Sequence, residues 1–279
     1  MSSATAGTLF LVSTPIGNLG DMSHRAVEVL SSAALIVAED TRHSRRLLDH
    51  YHIRTPLSSY HEHNEAKETP RLVARLVGGD SVALISDAGT PLISDPGSRL
   101  VASAIAAGVK VVPIPGASSV MAALVASGMS LERFTYFGFL PRKGKERAQA
   151  ISDVVASTVT CVIFEAGNRV GATLTALVEA GAADRSAVVA RELTKQFEEF
   201  KRGSVAELAA VYTDVDPKGE VVVVIGGAEK GALSEENLSE AAAKLRGDGL
   251  SARDVMEHLV DTLGAPRNLA YKIAHGTES

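Results

Sequence analysis

The chain has 279 residues, of which 46% are hydrophobic and 22% charged, and its formal net charge is -5 at pH 7. This balance is typical of a folded globular protein and excludes wholesale disorder. The negative charge argues against a protein held on nucleic acid by bulk charge, but it leaves room for a local basic site. Cys161 is the only cysteine, which excludes disulfides within the chain and cysteine-based zinc sites and fits a reducing cytoplasm.

We expect no signal peptide, because the N-terminus lacks a basic region before its short apolar run. We also expect no membrane span. The longest apolar runs, such as 221–225, fall far short of the roughly 20 residues that cross a bilayer. The length suits one large core or two domains of ordinary size, and we favour two.

The first half repeats a strand, a turn-rich loop and a helix. Continuous apolar runs predict buried strands at 8–12, 35–38, 82–85 and 109–114. Helices are predicted at 65–77 and 120–127, and Ser23 can cap an earlier one. Four such units predict a mostly parallel sheet with helices on both faces.

Three of the loops carry the chemistry of this half. The loop at 13–21 has only Gly17 and Gly20, which disfavours a nicotinamide site of the three-glycine type. The second strand runs into 39–42, Glu-Asp-Thr-Arg, where Asp40 or Thr41 could equally be a helix cap. The loop at 86–97 is the most unusual, because two glycines, two prolines and two aspartates follow a parallel strand. Open α/β sheets bind ligands there, although a rigid turn without a ligand is the alternative.

The second half predicts a mixed sheet from strands at 134–139, 159–164, 187–190 and 221–225, with a probable antiparallel member at 198–201. The densest basic segment of the acidic chain lies at 142–147.

His61 and His63, in the first half, have metal-like spacing but no third ligand at a recognisable distance, so a polar surface loop is favoured. Residues 234–275 read as three short helices in helix-turn-helix style. Arg253, Arg267 and Lys272 there could face phosphates or form an ordinary exposed surface.

The order of predicted strands and helices along the chain indicates three regions. They are an α/β domain at 1–132, a second α/β domain at 133–230 and a helical tail at 231–279.

Eight motifs in order give the chain a specific resemblance. They are STPIGNLGD, AEDTR, SDAGTPLISDPG, PGASS, GFLPRKG, FEAGNR, ARELTK and GEVVVVIGG. Together they resemble the tetrapyrrole methylase superfamily, the class III methyltransferases, and within it the enzymes that methylate a ribose 2′-hydroxyl of a cytidine in the decoding region of 16S rRNA. The resemblance covers about residues 8–227.

It implies a two-domain α/β fold with a small C-terminal helical module, S-adenosylmethionine in the cleft between the domains, a homodimer and a cytoplasmic location. The family's cofactor contacts carry over to matching positions, namely Pro15, Ala88, Gly89, Thr90, Ile93, Ser118, Ser119, Glu165 and Leu193. Thr90 stands where tetrapyrrole-modifying relatives tend to carry aspartate, which argues against a porphyrinoid substrate. Methylation of a tetrapyrrole or other small molecule, and a non-catalytic ribosome-binding factor, remain alternatives.

Methyl transfer requires mainly alignment, and a base near the weakly acidic hydroxyl would help. The predicted bases are Asp40, Asp87, Glu165 and Lys195, because each follows a strand's carboxyl end. For RNA we predict phosphate contacts from Arg142, Lys143, Lys145 and Arg147, with Arg42 nearer the reacting ribose. No metal is predicted.

Overall fold

The computed structural model describes residues 6–215, 217–228, 235–247, 249–261 and 265–275. The chain divides into two compact units, a first unit of Met1–Gly227 and a second unit of Ala228–Ser279. Two five-stranded sheets lie in the first unit. None of the helices within the described ranges is long and apolar enough to cross a membrane.

All strand pairings of the first sheet are parallel, in agreement with the mostly parallel sheet that the repeated strand-loop-helix units predict. Its strands are β1 Thr8–Val12, β2 Leu35–Ala38, β3 Leu57–Ser59, β4 Val82–Ile85 and β5 Lys110–Ile114, in the order β3-β2-β4-β1-β5. Its helices are α1 His24–Ser32, α2 Thr41–His50, α3 Glu65–Val77, α4 Ser98–Ala106 and α5 Ser119–Ser127. The short strand β3 was not predicted, because its three residues include only one apolar side chain.

Helices cover both faces of this sheet because alternate residues of each strand point to opposite sides. In β4, Ala83 and Ile85 pack with α1 and α2, whereas Val82 and Leu84 pack with α3 and α4. All four residues of β4 are buried. The parallel strands end at one edge, which brings the loops at 13–21, 39–40, 86–97 and 115–118 to the same side.

The second sheet is mixed, as predicted. Its strands are β6 Phe134–Phe139, β7 Thr160–Ala166, β8 Ser186–Arg191, β9 Glu199–Ser204 and β10 Glu220–Ile225, in the order β6-β7-β10-β8-β9. Only β6 and β7 are parallel neighbours; the other three pairings are antiparallel. One face is covered by the helices α6 Gly144–Ala156, α7 Gly167–Leu177 and α8 Val205–Val211, which were not predicted.

The other face of the second sheet is covered by α5, the last helix of the first half. Val120, Ala123 and Leu124 form a buried cluster with side chains of β8 and β10. Arg202 on β9 also donates a hydrogen bond to the carbonyl of Ala126. The two sheets therefore share a helix and form one unit.

The strand β7 differs from its prediction at a position that matters for function. It continues to Ala166, so Glu165 lies inside the strand and not after its end. The acidic residue gave a false signal of a strand end, because a carboxylate is rare inside a buried strand.

The second unit contains the three predicted helices, α9 Glu235–Gly247, α10 Ala252–Asp261 and α11 Arg267–His275. They share a core that includes Leu238, Val255 and Leu259. Ser251 and Asp254 form the predicted cap, because each side chain accepts a hydrogen bond from the other residue's backbone N–H. The predicted helix end at Gly264 and the predicted boundary at 230/231 lie outside the described residues.

Candidate active site

A cavity of about 610 Å³, here called the main cavity, lies between the two sheets of the first unit. One wall comes from the loops after β1, β2 and β4, and the other from β10 and the segment at 190–195 that ends β8. Its volume is in the range of small-molecule sites, about 300–1,000 Å³. The polar and charged side chains that line it are Glu39, His43, Asp87, Ser94, Asp95, Ser119, Arg191, Glu192, Lys195 and Glu220.

Hydrogen bonds join the loop after β4, which lies in the first wall, to the loops after β1 and β5. Thr14 and Gly89 pair through both backbone groups, with N to O distances of 2.9 and 3.0 Å. The Ser13 hydroxyl donates to the Thr90 hydroxyl at 3.3 Å, and Thr90 donates to the Ala117 carbonyl at 3.4 Å. Thr90 therefore ties the loop after β4 to the loops after β1 and β5.

Backbone strain is concentrated around the main cavity. Five described residues other than glycine have positive φ, and four of them, Leu92, Ser94, Glu192 and Thr194, lie in the segments at 86–97 and 191–195. Side chains disfavour this conformation, and each instance costs about 1–3 kcal/mol. Such strain persists where the surroundings fix the backbone, and it is typical of functional sites.

The two walls of the main cavity approach each other closely at Gly17 and Lys195. The stem of Lys195 lies against Gly17, where an added Cβ would be 2.6 Å from Lys195 Cγ. Lys195 Nζ pairs with Glu192 Oε1 at 2.9 Å. A side chain at position 17 would therefore displace the lysine.

The main cavity has an acidic wall, formed by Glu39, Asp87, Asp95 and Glu220. Among the ion pairs of the described residues, none involves these four carboxylates. Burial, reinforced by the charges of the other three, raises the pKa of Asp95 to about 6. Burial and the charge of Asp87 also raise the pKa of Glu39. The site therefore favours a cationic ligand.

The structure brings seven of the predicted site residues to the main cavity. They are Pro15, Asp87, Ala88, Ile93, Ser119, Leu193 and Lys195. Gly89, Thr90 and Ser118 lie behind the lining, where their hydrogen bonds hold the loops and cap α5. Asp40 caps α2 by accepting hydrogen bonds from the backbone of Arg42 and His43, which lower its pKa.

Glu165 does not line the main cavity. It is fully buried, accepts hydrogen bonds from Thr173 Oγ1 at 2.7 Å and Ala166 N at 3.0 Å, and pairs with Arg169 at 3.3 Å. Arg147 belongs to the same network, because its guanidinium donates to Thr173 Oγ1 at 3.0 Å and to the Pro141 carbonyl at 3.2 Å. Glu165 and Arg147 therefore belong to one network of hydrogen bonds and ion pairs that joins β7 to α6 and α7.

The other predicted RNA-binding residues are exposed. Arg142, Lys143 and Lys145 lie in the turn before α6 and in its first turn. The Arg42 side chain is 92% exposed and lies 3.6 Å from Asp40. Arg45 and Arg46 on the same helix are also exposed.

Sequence reasoning missed much of the acidic wall. Asp95 is one of the two aspartates of the loop at 86–97 but is not among the predicted bases. Glu220 begins a strand, whereas the predicted bases follow the carboxyl ends of strands. Because β10 is antiparallel to β8, its first residues reach the edge where β8 ends, and Val221 lies opposite Arg191. The antiparallel pairing is the signal that could have found Glu220.

A metal site finds no support in the described ranges, where no group of three or more His, Cys, Asp or Glu side chains could hold an ion. The rings of His61 and His63 pack edge to face with centroids 5.9 Å apart.

We predict that Asp95→Asn stabilises the fold in a pH-dependent way. The pKa of Asp95 rises from an ordinary 3.8 to about 6 on folding, so the folded chain binds more protons between these values. The wild type therefore loses stability as pH rises through this window, and the loss is complete above it. Urea unfolding should show a higher free energy of unfolding for the variant at pH 7.5 and a much smaller gain at pH 4.

Asp80→Asn is the matched control, because the Asp80 side chain is 44% exposed and pairs with Arg75 at 2.8 Å. It should give no gain at pH 7.5. Equal effects of Asp95→Asn at both pH values would contradict the prediction.

Comparison with known proteins agrees with this architecture. The family model for tetrapyrrole (corrin/porphyrin) methylases matches residues 8–209. A structural neighbour, uroporphyrin-III C-methyltransferase from Thermus thermophilus complexed with S-adenosylhomocysteine, superposes with a TM-score of 0.55 at 17% identity, covering 79% of this chain and 97% of that chain. At this identity the likeness concerns the fold.

Two curated relatives are far more similar in sequence, and both are called ribosomal RNA small subunit methyltransferase I. The protein from Synechocystis sp. is 45% identical over 271 residues, which are 96% of this chain and 97% of the relative. The protein from Mesorhizobium japonicum is 51% identical over 222 residues, 79% of this chain and 76% of the relative. The fold, the family match and these relatives together show that the chain belongs to the tetrapyrrole methylase family.

Proposed function

We propose that this protein is an S-adenosylmethionine-dependent methyltransferase of small-subunit rRNA, and that the acceptor is the ribose 2′-hydroxyl of a cytidine in the decoding region. The observation that carries the proposal is the main cavity between two sheets, in a chain that matches small-subunit rRNA methyltransferases over 96% of its length. The cytidine and the 2′-hydroxyl come from the motif resemblance. A tetrapyrrole or other small molecule is the less supported substrate, since both relatives are named for rRNA.

The residues of the main cavity fit S-adenosylmethionine. Pro15, Ile16, Ala88, Ile93 and Leu193 offer apolar contacts for a purine, and the acidic wall complements a sulfonium and an ammonium group. The cofactor supplies an electrophilic methyl group when bound. The protein's part is to hold the acceptor oxygen in line and to exclude water.

The predicted cofactor set divides into two roles. We assign contact with the cofactor to Pro15, Ala88, Ile93, Ser119 and Leu193, which line the cavity. Gly89, Thr90 and Ser118 shape the loops from behind. We assign Glu165 to the framework, because its carboxylate is held by Thr173, Ala166 and Arg169.

Of the predicted bases, Asp87 and Lys195 reach the cavity, but both are engaged. Asp87 Oδ1 accepts a hydrogen bond from the backbone N–H of Asp40 at 3.2 Å, and Lys195 pairs with Glu192. Asp40 is committed to the cap of α2.

RNA phosphates are repelled by the acidic wall and must bind outside it. We propose that the exposed basic segment Arg142, Lys143 and Lys145 contacts phosphates, and that Arg42 at the start of α2 lies nearer the reacting ribose. Arg147 is left out of this surface, because it is bound to Thr173 and Pro141.

We also propose that the enzyme works as a homodimer in the cytoplasm. Helix α5 exposes Met121 and Val125 one turn apart, at 50% and 67%, and Phe197 is 68% exposed. Large apolar side chains of this kind suit a surface that a second copy covers. A molar mass equal to that of one protomer, measured by sedimentation equilibrium, would contradict the dimer.

The function is tested by incubating the protein and S-adenosylmethionine with isolated small subunits and, separately, with naked 16S rRNA. Mass spectrometry should find one added methyl on the ribose of a cytidine. Methyl on a base would contradict the 2′-hydroxyl, and binding without transfer would indicate a ribosome-binding factor.

We predict that Gly89→Val weakens cofactor binding at least tenfold, about 1.4 kcal/mol. An added Cβ at position 89 would be 3.2 Å from Ile16 Cγ2, which lines the cavity, and 3.6 Å from the Ala117 carbonyl oxygen. Gly108→Val is the matched control. Gly108 has a φ of 73°, close to the 79° of Gly89, but no atom lies within 4 Å of its added Cβ. Calorimetric titration giving equal affinities for the two folded variants would show the site to be misplaced.

We predict that replacing Arg142, Lys143 and Lys145 together with Gln flattens the salt dependence of RNA binding. Each lost phosphate contact lowers the slope of log affinity against log salt by roughly one unit, so a change of about three is expected. Cofactor affinity should stay the same. The matched variant replaces Arg253, Arg267 and Lys272 of the second unit with Gln and should leave the slope within one unit of the wild type. The reverse pattern would assign the RNA surface to the second unit.

A further inference from the structure

A second cavity of about 420 Å³ adjoins the main cavity. Its own lining comes from Glu62, Glu65 and the start of α4 at 96–99. The two cavities share three residues, Glu39, Ser94 and Asp95. A group passed from a ligand in one cavity to a ligand in the other must therefore cross at these residues.

The shared wall is held in place from both sheets. Ser94 has a φ of 64°, and its hydroxyl lies 2.7 Å from the Tyr136 hydroxyl on β6. An added Cβ on Gly138, at the bulge of β6, would be 3.3 Å from Ser94 Oγ. Asp95 follows directly and is half-buried, and Glu39 is the more exposed of the two carboxylates. This arrangement fixes Asp95 at the junction of the cavities.

The lining of the second cavity suits a neutral, hydroxyl-bearing ligand. Carboxylates and serine hydroxyls accept hydrogen bonds from ribose hydroxyls and from an exocyclic amine such as cytosine N4. Phosphate is disfavoured, because Glu62 and Glu65 lie in the lining and Arg99 is paired with Glu65 at 3.2 Å. A nucleoside unit can enter while its phosphates stay outside.

We propose that the second cavity receives the nucleoside of the RNA that is methylated, and that Asp95 is the base that takes the proton from its hydroxyl. This inference rests on the proposed methyltransferase function. It assigns the acceptor site to residues outside the cofactor contacts, and it assigns the proton to a residue outside the predicted bases.

The acceptor O–H bond breaks and the proton passes to Asp95 Oδ. The oxygen keeps that electron pair and forms a bond to the methyl carbon, while the carbon–sulfur pair remains on sulfur. Asp95 then releases the proton to water, and no oxidant or reductant is needed.

Asp95 suits this task better than the other charged groups that face it. Those groups are Glu39, His43, Glu62, Glu65, Asp87, Arg99, Arg191, Glu192, Lys195 and Glu220. Three cations among them form ion pairs with other carboxylates, namely Arg99 with Glu65, Arg191 with Glu199 and Lys195 with Glu192. Burial and the nearby carboxylates raise the pKa of Asp95 to about 6. Asp95 is therefore a stronger base than an ordinary aspartate, and it is still mostly ionised at pH 7.5.

The acceptor site is tested by filling the second cavity. Ser98→Leu places a larger side chain in its lining, and Ala102→Leu places the same side chain on an exposed position of α4 outside it. With small subunits as substrate, Ser98→Leu should raise KM at least tenfold while calorimetry shows unchanged affinity for S-adenosylmethionine. Equal KM values for the two variants would overturn the assignment.

The base is tested with Asp95→Asn, against Asp80→Asn as the control. At saturating S-adenosylmethionine we expect kcat to fall about 100-fold or more and KM for the small subunit to stay within threefold. The loss of wild-type activity below about pH 6 should be absent from the residual rate of the variant. A kcat loss under tenfold, or a residual rate that still falls off near pH 6, would overturn the assignment of Asp95. If the wild type itself transfers no methyl to RNA, the proposed function fails. If the wild type is active and both variants keep its activity, the assignments of the acceptor site and of Asp95 fail while the proposed function stands.

Discussion

Helix α5 leaves the first sheet at the PGASS turn and buries Val120, Ala123 and Leu124 against β8 and β10 of the second sheet. Burying a leucine-sized side chain contributes about 1.5–3 kcal/mol, and the alanine lets helix and sheet approach closely. Because one wall of the main cavity comes from the loops before α5 and the other from the sheet beneath it, this packing sets the width of the cavity. The site is therefore a consequence of a core contact, and its geometry is as rigid as that core.

The strained loops depend on the same framework. Leu92 and Ser94 could adopt their backbone conformations more easily as glycines, yet Ser94 would then lose its contact with Tyr136. The paired hydrogen bonds of Thr14 and Gly89, with those of Thr90, fix the loop on its other side. Strain at 92–94 is tolerated because the loop is held at both ends, and the result is a fixed position for Asp95.

The sequence predicted what depends on local pattern. Strands at Thr8–Val12, Leu35–Ala38 and Val82–Ile85 have their predicted bounds, because continuous apolar runs end abruptly at turn residues. The sequence does not predict side-chain placements that depend on contacts between residues distant in the chain. Glu165 is turned into the core by the alternation of β7, and Arg147 is drawn inward by Thr173, 26 residues away in the chain. A linear motif does not show that a strand continues past a carboxylate, as β7 does at Glu165. It also does not show that an arginine will bind a hydroxyl far away in the chain, as Arg147 binds Thr173.

The acidic wall explains how an acidic protein can work on RNA. Carboxylates near a cationic cofactor lower its energy, but they raise the energy of any phosphate that approaches. The strand must then be held outside the wall by exposed cations, and only an uncharged part of a nucleotide can enter. The raised pKa of Asp95 shows that the fold bears a cost for this wall, since burial among like charges disfavours the ionised form that a base requires. A cost of that kind persists where the same group serves function, and the distribution of charge therefore points to the junction of the two cavities as the place where the chemistry occurs.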